Sequence, residues 1–170
     1  SSSSNITQLN ALEHVVHVSG SLDIIGNGLL TDLNGLHNLQ TVAGGMRIHS
    51  NAVLSDLDGL AQLDTIRQAL YISENPLLSS IQALSDLDYV LIFGLYRNPG
   101  ISSLTALEQA IIDSAIVIVD SQGLTSLDGL GSLEDFTGNF SLRHNFNLED
   151  IDILSSLDSL NSLELAGCTM

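Results

Sequence analysis

The chain has 170 residues, 44% apolar and 14% charged, which sets one domain as the default count and excludes intrinsic disorder, whose composition is the reverse. Twenty acids face four bases, for a net charge of −16. So acidic a surface repels phosphate backbones and anionic lipid, which excludes nucleic-acid and membrane-surface binding.

All four bases are arginine (Arg47, Arg67, Arg97 and Arg143), and fourteen of the acids are Asp. An excess of Asp without lysine fits an extracellular, salt-rich setting, by correlation rather than mechanism. The single cysteine, Cys168, leaves no intrachain disulfide and no Cys-based metal site. The longest apolar runs, 90–96 and 115–119, are strand-length, far short of the ~18 residues of a membrane span. Ser1 to Ser4 lack the basic region and apolar core of a signal peptide. Residues 1–3 are therefore read as a disordered or artificial N-terminus, and 4–170 as a single solenoid domain that would also fit inside a longer array.

In chain order, the first strong signal is Leu22-x-Ile24-x-x-Asn27, which recurs as Met46-x-Ile48-x-x-Asn51 and Leu70-x-Ile72-x-x-Asn75. It returns as Phe93-x-Leu95-x-x-Asn98, Ile116-x-Ile118-x-x-Ser121, Phe140-x-Leu142-x-x-Asn145 and Leu163-x-Leu165-x-x-Cys168. The closing positions are 24, 24, 23, 23, 24 and 23 residues apart, a period that marks a repeat architecture. The alternation within each segment predicts a strand. Stacking would pair these strands into a parallel sheet, at about 4.8 Å per turn and roughly 34 Å overall.

Between the strands, apolar residues fall three apart: Ile6, Leu9, Leu12, Val15 and Val18, then Leu30, Leu33, Leu36, Leu39 and Val42. The set Leu54, Leu57, Leu60, Leu63 and Ile66 follows, and later Leu124, Leu127, Leu130, Leu133 and Phe136. On an α-helix each step of three drifts by about 60° from one face, so a continuous helix is excluded. A bending coil with a short helical turn near 33–39 and its equivalents fits. Gly44-Gly45, with Gly20 and Ala69 in register, predicts a tight bend before the strand. Asn34-Gly35, Asp58-Gly59 and Asp128-Gly129 predict another turn. Residues 76–121 lack these glycines and run one residue short per turn, which predicts a local distortion. The fold class is thus a mainly β repeat solenoid: a right-handed parallel β-helix, leucine-rich-repeat-like, of about seven turns of 23–24 residues.

The closing Asn27, Asn51, Asn75, Asn98 and Asn145 suit a structural ladder, in which each side-chain amide satisfies backbone groups where the chain leaves the strand. Cys168 reads as a ladder residue, with an intermolecular disulfide as the alternative.

The run Gly44-Gly45-Met46-Arg47-Ile48-His49-Ser50-Asn51, followed by Leu54-Ser55-Asp56-Leu57-Asp58-Gly59-Leu60, resembles the receptor L-domain repeat. That family includes ligand-binding ectodomain modules of insulin- and EGF-type receptors and arrays in bacterial and fungal surface proteins. The resemblance covers essentially all of the chain, and the missing disulfides bring it nearer the microbial branch. It implies a right-handed parallel solenoid related to leucine-rich repeats, and an extracellular recognition or adhesion role.

Functional residues of a solenoid lie in outward columns. One column is Asp23, Arg47, Tyr71, Gly94, Val117, Ser141 and Glu164; the next is Ile25, His49, Ser73, Tyr96, Val119, Arg143 and Ala166. A third is Gly26, Ser50, Glu74, Arg97, Asp120 and His144. Arg47, His49, Tyr71, Tyr96, Arg97 and Arg143 are the candidate ligand-binding residues, of types enriched at binding hot spots. The alternative is that mixed charges only blunt an exposed sheet, Asp23 pairing with Arg47 and Glu74 with Arg97. Thr7, Thr31, Ser55, Ser79, Ser102, Thr125 and then Glu149, beside Gln8, Asp32, Asp56, Ser80, Ser103, Ser126 and Asp150, read as caps of the short turns. An ordered hydroxyl array facing ice or mineral is the alternative.

Asp56/Asp58, Asp86/Asp88 and Asp150/Asp152 fit weak Ca²⁺ binding but no dedicated metal site and no cofactor. No hydrolase, zinc or phosphate-loop motif occurs. His49 and His144 lie about four turns apart, too far to share a site; His14 and His17 read as surface residues. An enzyme is not expected. Asn5 and Asn139 open glycosylation sequons. The function read from the sequence is a non-catalytic extracellular module that binds a protein or glycan at the cell surface. Alternatives are a structural spacer or stalk, and an ice-binding solenoid. The coil ends lack a polar cap, which fits end-to-end or face-to-face self-association.

Overall fold

The alternating segments become strands because each L-x-I pair sends two side chains inward while the residues between them face solvent. A computed structural model describes residues 6–131, 133 and 135–168. Nine strands form one sheet: β1 His17–Val18, β2 Leu22–Ile25, β3 Thr41–Val42, β4 Met46–His49, β5 Thr65–Ser73, β6 Tyr89–Tyr96, β7 Ile111–Val119, β8 Asn139–Arg143 and β9 Ser162–Ala166. The pairings are parallel. Their register joins the equivalents read from the repeat, as in Leu22↔Met46, Met46↔Leu70 and Leu70↔Phe93.

The bend glycines decide where strands break. Around Gly20 and Gly44 the strand is interrupted, giving β1 and β2, then β3 and β4. Gly44 donates its N–H to the Gly20 carbonyl at 2.8 Å, and a Cβ at Gly44 would meet the Gly20 backbone. Ala69 was expected to bend the chain in the same way; instead β5 runs through it for nine residues. The irregularity there is a register shift, from Ile66↔Val90 to Ala69↔Ile92. A second shift lies between Val90 and Ile92 of β6. The distortion expected over 76–121 is therefore absorbed inside continuous strands.

Opposite the sheet, short 3-10 turns occupy Asn34–Leu36, Asp58–Leu60, Gln82–Leu84 and Thr105–Leu107. No α-helix occurs among the described residues. The residue two before each turn's first position caps it. Asp32 Oδ1 accepts from the Asn34 N–H at 3.0 Å, Ser80 Oγ from Gln82 and Ser103 Oγ from Thr105. Asp56 and Asp150 do the same for Asp58 and Asp152. The Asp/Ser column thus satisfies turn donors, whereas in the hydroxyl column beside it Thr31 and Ser55, also read as caps, donate to Asp32 and Asp56 instead.

The three-spaced residues line the core: Leu30, Leu33, Leu36, Leu39 and Val42 are buried, as are Leu54, Leu57, Leu60, Leu63 and Ile66 and the set from Leu124 to Phe136, with Phe93 and Phe140 among the largest; in the last pass Leu163 and Leu165, read as inward, are exposed. In the first pass Ile6 and Leu12, read as inward, are exposed, because only one side of that pass is covered by described residues.

The asparagine ladder threads this core. Asn51, Asn75, Asn98 and Asn145 are fully buried. Each sends its side-chain amide to a strand carbonyl of the preceding pass: Asn51 to Ile24 at 2.9 Å, Asn75 to Ile48 at 3.0 Å, Asn98 to Ile72 at 2.9 Å and Asn145 to Ile118 at 2.9 Å. Each Oδ1 accepts the backbone N–H of the preceding ladder residue, Asn27 onto Asn51 among them. Cys168, half-buried and free, occupies the next position, its Sγ 3.9 Å from the Leu142 carbonyl.

Candidate functional site

The sheet stacks the outward residues in the columns read from the sequence. Asp23, Arg47, Tyr71, Gly94, Val117, Ser141 and Glu164 are successive register partners. So are Ile25, His49, Ser73, Tyr96, Val119, Arg143 and Ala166. A concavity of about 620 Å³ lies on this face, and Arg47, His49, Tyr71, Tyr96, Arg97 and Arg143 all line it. His144 lines it as well, so His49 and His144, read as too distant to share a site, border the same hollow from different passes.

Its centre is aromatic. The Tyr71 and Tyr96 rings meet at 6.0 Å between centroids with a 58° tilt. Gly94 makes that arrangement possible, because a Cβ there would strike the Tyr71 ring and come within 2.7 Å of the Tyr96 ring. With no side chain at Gly94, Tyr71 lies down across its neighbouring strand instead of standing off the sheet. Burial pushes the Tyr96 phenol above its ordinary pKa.

The charges of this face are paired across passes. Arg47 grips Asp23 in a fork, Nε to Oδ1 at 2.7 Å and Nη2 to Oδ2 at 2.5 Å. That hydrogen-bonded fork holds the Asp23 carboxyl below the usual range. Arg97 bridges Glu74 at 3.0 Å and Asp120 at 3.4 Å. Its hydrogen bond, with a second from the Ser50 hydroxyl, lowers the Glu74 pKa. Arg143 lies 3.7 Å from Glu164, and His144 lies 3.6 Å from Asp120. His49 is held by the hydroxyls of Ser73 at 2.8 Å and Ser50 at 3.0 Å.

One organising feature escaped the sequence reading. Ser50, Glu74, Arg97, Asp120 and His144 all have left-handed backbone, φ between 51° and 55°, and Gly26 and Gly167 in the same column are left-handed too. Non-glycine residues adopt this conformation at a cost of order 1–3 kcal/mol. Here each residue's N–H continues the ladder, as Glu74 N–H to the Tyr96 carbonyl at 2.9 Å. The reversal then turns the next asparagine inward. It also throws Glu74, Arg97 and Asp120 onto the rim of the hollow. Gly26 and Gly167 were the only sequence signal.

Other candidates stay apart from this face. His14 is exposed, and His17 meets the Thr41 hydroxyl at 2.6 Å. No group of metal-ligating side chains gathers among the described residues. Asn139 Oδ1 accepts hydrogen bonds from Asn161 and Ser162; Asn5 lies outside the described residues.

The family model described as receptor L domain matches residues 1–88, just over half of the 170. The chain belongs to the receptor L domain family. Receptor L domains are ligand-binding, non-enzymatic modules, typically of the extracellular parts of receptors. In this receptor L domain the match contains Arg47, His49 and Tyr71, whereas Tyr96, Arg97 and Arg143 complete the concavity from beyond it. No curated protein and no solved structure matches the chain. No described helix is long and apolar enough to cross a membrane.

Proposed function

We propose that this receptor L domain is a non-catalytic recognition module at the cell surface. It engages its partner, a protein or a glycan, through the concave strand face. The fold behind it is a right-handed coil of about seven turns. The observation that carries this reading is the convergence of two tyrosines, three arginines and two histidines on one hollow of about 620 Å³, within the 300–1,000 Å³ range of ligand sites. Screening protein and glycan arrays with the wild type and with the triple variant Arg47→Ala, Tyr71→Ala, Tyr96→Ala tests it. Loss of the wild-type partners in the folded triple variant is expected; full retention would sink the reading.

The second reading is a structural spacer that holds another domain off the surface. The pairing of Arg47, Arg97 and Arg143 with acids across passes supports it, because such pairs stiffen and blunt an exposed sheet without any ligand. A spacer would give no array partner sensitive to the triple variant.

A further inference from the structure

We propose that the concave face takes a neutral, polyhydroxylated ligand, a stretch of uncharged oligosaccharide laid over Tyr71 and Tyr96. This rests on the strand-face reading and names the chemistry of its ligand.

Charge selects the class of ligand. The charged side chains lining the hollow have opposite charges within ion-pair range: Arg47 is forked onto Asp23, Arg97 bridges Glu74 and Asp120, and Arg143 lies 3.7 Å from Glu164, its buried Nε making no hydrogen bond. A ligand bearing a net charge would have to break one of these pairs or leave its own charge uncompensated, both unfavourable in a hollow that sheds water. An anion also meets the field of a chain at −16. Hydroxyl groups face neither obstacle, since each donates and accepts and can bridge a paired carboxylate and guanidinium without separating them.

Geometry supplies the other half. Gly94 leaves room for Tyr71 to lie across the sheet against Tyr96, giving a broad apolar floor. The negative π face of such rings attracts the C–H-rich face of a pyranose ring. Around that floor, donors and acceptors are fixed by prior bonds: the His49 ring between two hydroxyls, and the Arg97 fork between two carboxylates. Their positions need little ordering on binding. The stacked passes run the hollow along the sheet from Ile25 to His144, an elongated shape that suits a linear chain of sugar rings.

The test is calorimetric and NMR titration of the protein with cellohexaose, maltohexaose and chitohexaose, beside a sulfated heparin hexasaccharide and an octa-arginine peptide. At least one neutral hexasaccharide should bind, with affinity changing less than about twofold between ~50 and ~500 mM NaCl, since screening acts on charge. Tyr71→Ala and Gly94→Ala should each weaken it by about tenfold or more, with thermal unfolding showing that both variants fold. Asp86→Asn, away from the hollow, should leave it unchanged. Failure of all three neutral sugars to bind, or preferential, salt-sensitive binding of heparin or octa-arginine, would overturn the inference. An array partner lost in the triple variant while no neutral sugar binds would reject the saccharide and keep the strand face. Sugar binding indifferent to Tyr71 and Gly94 would reject both.

Discussion

The Asn75 Oδ1 anchors its neighbour Asn51 twice, accepting the Asn51 backbone N–H at 3.0 Å and the Asn51 side-chain amide at 3.3 Å. Asn75 in turn donates to the carbonyls of Ile48 and Ser73, both at 3.0 Å, and to Asn98 Oδ1 at 3.3 Å. One fully buried side chain therefore satisfies backbone groups of two passes. Asn75→Ala strands those groups without water, at about 1–3 kcal/mol each. A loss of at least ~3 kcal/mol is expected by urea denaturation. Asn75→Ser should lose less, since Ser121 fills the equivalent position. Equal losses would mean that the amide has no special part.

Ser121 itself marks a weak point. Its N–H donates to Asn145 Oδ1 at 2.9 Å, but its hydroxyl reaches only the Val119 carbonyl, at 3.4 Å. By the ladder rule, an asparagine there would extend its amide to the Leu95 carbonyl, as Asn98 does to Ile72. Ser121→Asn should stabilise the protein by about 1 kcal/mol, read as a raised urea midpoint with unchanged slope. A lowered midpoint would show that packing leaves no room for the larger side chain.

Two glycines should differ sharply on substitution. Gly59 lies in the Asp58–Leu60 turn, where a Cβ would run into the Leu33 carbonyl of the preceding pass. Backbone cannot yield as a side chain can, so Gly59→Ala should cost about 2 kcal/mol or more. A Cβ at Gly20 meets nothing within 4 Å, and Gly20→Ala should stay within about 0.5 kcal/mol. Thermal melts of the two variants make the comparison.

Two opposed effects shape the acid response. Asp23 and Glu74 are held below their ordinary pKa by arginine, so the folded state binds fewer protons than the unfolded one. Their contribution is present above the ordinary carboxylate range and is lost as pH falls through the lowered values. Self-repulsion at −16 eases over the same descent. Thermal stability should therefore rise from pH 7 towards about pH 5 and fall below about pH 4. Arg47→Ala should barely move the midpoint at pH 7, as an exposed pair gains little, but should soften the acid limb. Added NaCl should raise the melting temperature at pH 7. A monotonic decline from pH 7 would show that repulsion is minor.

The repeat was fully legible in the sequence because it is written in local, periodic terms. Alternation at Met46 and Ile48 fixed the strand, three-spacing from Leu30 to Val42 fixed the bending core path, and the recurring asparagines fixed the ladder and hence the register. Register alone then aligned Asp23 with Arg47 and Glu74 with Arg97. Ala69 was misread as a bend because a short strand pair and one long bulged strand share the same inward pattern; only pairing with β6 distinguishes them. The left-handed column was hidden for a related reason. Ser50, Glu74 and Arg97 carry no conformational signature of their own, and the inter-strand hydrogen bonds that impose φ near 55° come from the next pass. The concave site likewise needed the third dimension. Sequence put two tyrosines in adjacent columns, but the empty space above Gly94, the tilt of the Tyr71 ring across it and the approach of Arg97 to Asp120 and of Arg143 to Glu164 arise from contacts between neighbouring passes. Periodicity determines what stacks on what; the packing of the stacked side chains decides the surface that results.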